Sequence, residues 1–380
     1  MTPKWMAAAI PQRPVDRAAA LAKSGRADAA TGPLRALHLN ESPYPPSPAA
    51  IEAARAWATA MNRYPDSMSR ALVGELSSRT GIAPSRIVCG HGSEELILAI
   101  CTLAGGPGGE VIVPTPSFPV IGVTASQRGS AVVRVPLDAG GACDADAMVA
   151  AVTPRTRVVF CCTPNPPSGG AMSAQAVARV IDGVPHDALL VMDEAYHEFA
   201  RHAGAPDILA ALARRTAPWI VLRTFSKAYG LTGARVGYAI CSSDGIADAL
   251  RAVKTLYGPS GGSLASALAA LKDDAYLAST LDAVARERAR MIEGLSALGL
   301  QPLPSAANFV SVALPMPAAD AMVALHERGI LVRDWRDPAF TRELRITVGR
   351  PEDTTAFLDA IAAIVATAHA SREAPLPSDA

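Results

Sequence analysis

The chain has 380 residues, half of them apolar, which is enough for two domains that each bury a core. Lysine plus arginine number 35 and aspartate plus glutamate 35, so the formal charge is zero. That balance leaves no positive surplus to follow a nucleic-acid backbone or an anionic membrane, and neither is expected as a partner.

The first 30 residues interleave alanine with Lys4, Arg13, Asp16, Arg17, Lys23 and Arg26, unlike the unbroken apolar core of a signal peptide. From there, short β-rich runs at 86–89, 110–113, 131–135, 158–162, 189–192, 219–222 and 237–241 recur between helical patterns such as 93–103, 173–182 and 245–256. Most of the runs are apolar at successive positions, as strands buried on both faces of a parallel sheet require. This predicts an α/β domain over 49–264, with a mostly parallel central sheet flanked by helices. Past it the pattern changes. A long Arg- and Glu-rich helix at 273–298 precedes strands at 309–313, 330–333 and 344–348 and a helix at 318–328. Residues 265–380, joined by the N-terminal arm 1–48, are expected to form a smaller α+β domain, with a frayed tail from 371. No stretch is long and uncharged enough to span a bilayer. The six cysteines lack metal-site or scaffold spacing, so a reducing, cytoplasmic setting without a metal is expected.

The most informative stretch is RTFSKAYGLTGARVG at 223–237. Lys227 stands just past a buried strand among hydroxyls and small residues, where surface solvation explains it poorly. An amine that forms a Schiff base must be partly neutral near pH 7, and desolvation or a neighbouring cation provides that. Thr224, Ser226 and Arg235 supply hydroxyl and guanidinium donors suited to a dianionic phosphate.

This stretch resembles the cofactor-lysine signature of class I/II pyridoxal-phosphate aminotransferases, most closely the histidinol-phosphate aminotransferase family. The resemblance extends through LNESPYPPS at 39–47, NRYPD at 62–66, GHGSEE at 90–95, VPTPSF at 113–118, TPNPPSG at 163–169, DEAY at 193–196, NF at 308–309 and LRITVG at 344–349. It implies fold-type I and amino transfer by a ping-pong mechanism, with 2-oxoglutarate as the acceptor and Lys227 holding pyridoxal 5'-phosphate as an imine. It also implies roles residue by residue. Asp193 keeps the pyridine nitrogen protonated, although capping a helix is the alternative for an aspartate after a strand. Tyr196 bonds the cofactor's phenolic oxygen. Gly92, Ser93 and Glu94 open a helix whose free N–H groups and dipole suit the phosphate. Phe118 stacks on the ring. Tyr64 reaches the phosphate of a partner subunit, which implies a homodimer with shared sites. Arg345 grips the substrate α-carboxylate in a bidentate clamp, while Arg333 and Tyr44 are candidates for the rest of the substrate.

One departure stands out. The family pattern Pro-Asn-Asn-Pro-Thr-Gly is here Pro-Asn-Pro-Pro-Ser-Gly, so Pro166 replaces an amide donor and Asn165 is the candidate substitute. The departure keeps open another reaction on the same scaffold, decarboxylation, elimination or cyclisation. A catalytically inert binding protein is the reading from a different class.

Overall fold

The computed structural model describes residues 34–335 and 337–373. The expectations for residues 1–30 and for the tail beyond 373 lie outside the described residues. Strands are numbered along the chain: β1 Arg35–Ala36, β2 Ile87–His91, β3 Glu110–Thr115, β4 Ala131–Pro136, β5 Thr156–Cys162, β6 Leu189–Asp193, β7 Trp219–Thr224, β8 Val236–Cys241, β9 Phe309–Ala313, β10 Ile330–Leu331, β11 Arg333–Asp334 and β12 Glu343–Thr347.

Seven of these form one sheet in the order β2-β8-β7-β6-β5-β3-β4. The pairs from β7 out to β4 are parallel, and β8 is antiparallel to both of its neighbours. The continuous apolar runs follow from burial on both faces. Along β5, Val159 and Cys161 enter one core cluster while Val158, Phe160 and Cys162 enter another. The same alternation places Leu190 and Met192 against one layer of helices and Val191 against the other. Burying each such side chain contributes on the order of 2 kcal/mol.

The later strands make a three-stranded antiparallel sheet, β11-β12-β9. Its core includes Phe309, Ile346 and Phe357, and it also takes in Tyr196, Phe199 and Ala228 from the segments that follow β6 and β7. Lys227 therefore lies where the two cores meet.

Three features depart from the expectations. The boundary at 264 falls inside the helix Gly261–Leu271, whose Ala267, Ala270 and Leu271 belong to the large-sheet core. The expected strand 330–333 is split into β10, which pairs with β1, and β11, which pairs with β12. A helix Pro351–Glu373, absent from the sequence reading, runs into the segment expected to fray. Its start was signalled by proline at the first position followed by Glu352 and Asp353.

Candidate active site

The carboxyl ends of β3, β5, β6 and β7 lie along one edge of the sheet, and Phe118, Asn165, Asp193, Tyr196, Thr224, Ser226 and Lys227 lie at or just after them. The register runs Cys162 to Asp193 and Asp193 to Leu222, then Thr224 to Gly237 on β8. Because β8 runs the other way, Arg235 enters at the same edge.

Two glycines build the anion cradle. Gly237 passes so close to the helix Gly92–Ala104 that a Cβ there would lie 2.4 Å from the Ser93 nitrogen. Gly92 has φ +75°, and a Cβ on it would lie 2.4 Å from Arg235 Nη2. The helix N-terminus is thereby brought against the guanidinium. Arg235, itself at φ 55°, donates to Ser226 Oγ at 3.4 Å and to the Thr232 carbonyl at 3.1 Å. The Thr224 hydroxyl lies 3.0 Å from Ser226 Oγ and accepts from the Ser226 N–H at 3.1 Å. Thr224, Ser226, Arg235, Gly92 and Ser93 thus converge, with Glu94 at the start of the same helix.

Glu94, at the start of that helix, also borders a cavity of about 750 Å³ lined by Lys227, Tyr196, Phe118, Arg333 and Arg345. Lys227 Nζ donates to the carbonyls of Asn40 at 3.1 Å and Leu39 at 3.3 Å, and lies 5.8 Å from the centroid of the Tyr196 ring. Burial lowers its pKa to about 8, with Arg345, Arg235 and Arg333 pushing the same way and Glu41 opposing them. The Tyr196 hydroxyl accepts from Asn40 Nδ2 at 2.9 Å. Burial raises that phenol to about 12 despite Arg345 and the Asn40 bond.

Asp193, at the end of β6 and three residues before Tyr196, is 5% exposed and accepts a bond from the Ala195 N–H at 3.1 Å. Burial raises its pKa to about 6; the Ala195 N–H lowers it and the charge of Glu194 raises it. A buried carboxyl held this high is matched to a cationic partner, such as a protonated pyridine nitrogen. On the opposite wall Arg345 donates from Nη2 to the His38 carbonyl at 2.6 Å and lies 5.6 Å from the Phe309 ring centroid. A depressed lysine, an anion cradle, a buried carboxyl and a facing aromatic together fit pyridoxal phosphate.

Asn165, Tyr44 and Tyr64 do not line the cavity. Asn165 is fully buried behind the cavity wall, with its amide nitrogen donating to the Pro116 carbonyl and to Ser168 Oγ and its oxygen accepting from Ser117. Both of its amide N–H donors go into shaping the loop, and Pro166 lines the cavity instead. Tyr44 also does not line the cavity: its ring lies beneath Arg350, 5.7 Å from the guanidinium, and packs on the small core. Tyr64 is 80% exposed and stacks on Tyr257 with centroids 4.3 Å apart, beside the segment that contains Thr255 and Gly258, which line a recess together with Arg235.

The sequence reading missed Asn40, which links Tyr196 to Lys227 and is itself held by Asn308 Nδ2 at 3.1 Å. Both asparagines stood inside the quoted motifs, but their contacts span the whole fold. Trp335, another wall of the cavity, had no local signal.

A family model described as aminotransferase class I and II matches residues 35–361. An aromatic amino acid aminotransferase of Streptomyces avermitilis is 38% identical over 337 residues, 88% of this chain and 92% of its own length. A histidinol-phosphate aminotransferase of Erythrobacter litoralis is 39% identical over 350 residues, covering 90% of this chain and 93% of the relative. Among solved structures, the histidinol-phosphate aminotransferase of Sinorhizobium meliloti in complex with pyridoxal-5'-phosphate aligns at a TM-score of 0.80 and 31% identity, over 90% of this chain and 92% of that one. A double mutant of the aspartate aminotransferase of Thermus thermophilus aligns at a TM-score of 0.81 and 25% identity, over 93% of this chain and 97% of that one. With fold, cradle and relatives in agreement, the chain belongs to the class I and II aminotransferases and is a pyridoxal-phosphate-dependent enzyme of fold-type I.

Proposed function

We propose that this enzyme moves an amino group from histidinol phosphate or an aromatic amino acid to 2-oxoglutarate by a ping-pong cycle. The observation that carries the reading is one cavity in which the Lys227 amine, poised near neutrality, faces the guanidiniums of Arg345 and Arg333. The names of the relatives support both donor classes. Phe118 and Trp335 on the cavity walls suit a ring, and the two arginines suit a substrate with two anionic ends.

Pyridoxal phosphate, when bound, would supply an aldehyde carbon able to link to an amine and a pyridine ring able to accept electron density from the substrate α-carbon. Lys227 holds the cofactor at rest. Its Nζ, whose pKa burial lowers to about 8 in the cofactor-free protein, would serve as the base that moves the proton at the substrate α-carbon. Asp193 keeps the ring nitrogen protonated, Tyr196 faces the phenolic oxygen and Phe118 covers the ring. The N–H groups of Gly92, Ser93 and Glu94, with Thr224, Ser226 and Arg235, hold the phosphate. Arg345 clamps the α-carboxylate of an amino-acid donor or 2-oxo-acid acceptor, or the phosphate that replaces it in histidinol phosphate, so the two half-reactions alternate at one site, and Arg333 meets the far end.

The unit is a homodimer in which Tyr64 of one subunit completes the phosphate site of the other; the exposed Met61, Tyr64, Leu256 and Tyr257 support a covered surface there. Two domains, about 49–271 and the arm with the C-terminal part, meet at the site. The six buried free thiols suit the cytoplasm.

Incubating purified holoenzyme with a panel of amino donors and 2-oxo acids tests the reading. Amino transfer from an imidazole or aromatic donor to 2-oxoglutarate is expected. Carbon dioxide release, or elimination without amino transfer, contradicts it.

A further inference from the structure

Directly beneath Asp193 is a buried charged cluster that the mechanism above does not use. Glu194, the next residue, is 3% exposed and Arg223 on β7 is 5% exposed. Arg223 donates from Nε at 2.9 Å and from Nη2 at 2.8 Å to one oxygen of Glu194, and the other oxygen lies 3.0 Å from His197 Nδ1. The Glu194 N–H donates to the Leu222 carbonyl at 2.8 Å. Since Asp193 and Leu222 are register partners, the ion pair is the next rung of the β6–β7 ladder. One side of that rung leads directly from Asp193. The other leads through Thr224 and Ser226 to Lys227.

A buried ion pair is weak evidence of a stabilising role, because desolvation offsets much of the attraction. Its position suggests a different use. Asp193 must be an anion, yet Glu194 places a second negative charge beside it in a buried setting. Burial pushes Glu194 up, but Arg223 and His197 more than offset this and hold its carboxyl below the usual range, so the charge is permanent. The other titratable groups around the pair are Cys162 on β5, Tyr196 and Glu198 in the following turn and helix, Tyr229, and Tyr238 on β8 opposite Arg223. Among them Arg223 is the fixed cation.

We propose that the Arg223–Glu194 ion pair is a positioning device of the cofactor site: it fixes the strand end bearing Asp193 to the one bearing Thr224, Ser226 and Lys227, and cancels the charge beside Asp193. The inference rests on the reading that Asp193 faces the cofactor's ring nitrogen. Arg223 and Glu194 touch neither cofactor nor substrate and act through Asp193 and Lys227.

The test is the pH midpoint of the visible absorbance of the bound cofactor, measured on holoenzyme. Arg223→Met leaves an uncompensated negative charge, which favours the protonated form of the Lys227–cofactor linkage and moves the midpoint up by at least about half a pH unit. Glu194→Gln leaves an uncompensated positive charge and moves it down by a similar amount. The double variant returns close to the wild-type value. If Arg223→Met does not fold, the nearly isosteric Glu194→Gln carries the test alone. Midpoints that stay fixed, or all shift in one direction with falling thermal stability, overturn the inference and leave a merely structural pair. Asp193→Asn is the control. If it lowers the midpoint while the pair variants do not respond, only this inference fails; if it too is silent, the reading of Asp193 fails first.

Discussion

Arg333 and Arg345 are register partners across the antiparallel β11–β12 ladder, so two guanidinium-bearing residues occupy directly opposed positions at the border of the cavity above Lys227. Like charges in that relation are mutually destabilising, and a bound dianion relieves the repulsion. The two are expected to differ in what they recognise. Arg345→Gln should raise KM for every donor and acceptor by about a hundredfold, since each carries the α-carboxylate or its equivalent. Arg333→Gln should raise KM about tenfold for 2-oxoglutarate but little for a monocarboxylate 2-oxo acid. Steady-state kinetics on the two acceptors decide this. An equal rise for both with Arg333→Gln removes it from distal recognition.

Lys227 sets a pH dependence. Its pKa in the folded cofactor-free protein is about 8 against an ordinary 10.5. Labelling of Lys227 by an amine-reactive aldehyde should therefore reach half its limiting rate near pH 8. The sign for stability follows from proton counting. Between about 8 and 10.5 the unfolded chain keeps a proton that the folded chain has lost, so stability rises with pH in that window. Lys227→Met should abolish the rise, which denaturation of the cofactor-free protein across that range would reveal.

Asp193 predicts a trade of stability against function. Its buried carboxyl titrates at about 6 instead of 3.8, so in the cofactor-free protein stability falls as pH rises from about 4 to 6 and stays lower above. Asp193→Asn should stabilise that form at pH 7.5 by on the order of 2 kcal/mol, and not at pH 3.5. Turnover should fall at least about a hundredfold with the cofactor still bound, because the amide carries no charge to keep the ring nitrogen protonated. Thermal melts and single-turnover rates on one variant check both. A mere helix-capping role predicts near-wild-type rates.

Much of this site was legible in the sequence because its parts sit at strand ends, where local pattern and motif coincide. The strand 219–222 announced the lysine after it, and Gly92 marked the cradle, whereas the close approach of Gly237 to Ser93 appears only in the fold. Contacts between distant segments were not legible. Asn40 reaches Tyr196 across 156 positions and Arg345 reaches His38 across 307. The surroundings of Asn165 were not legible either, because its motif position says nothing of the bonds its amide makes to Pro116 and Ser168. The helix Pro351–Glu373 escaped notice because its alanine-rich sequence leaves only a weak apolar stripe.

The shared-site dimer makes its own prediction. Mixing Lys227→Ala chains with Tyr64→Phe chains should form hybrid dimers in which one site has neither defect. Activity above the weighted average of the parents is expected; activity equal to that average shows that each subunit completes its own site.

The central claim is that Lys227 carries the cofactor, and borohydride reduction of the holoenzyme followed by peptide mapping tests it most directly. The account predicts the pyridoxyl group on the peptide containing Lys227, with no label in Lys227→Ala. A pyridoxyl group on another lysine, such as Lys254 or Lys272, would contradict it.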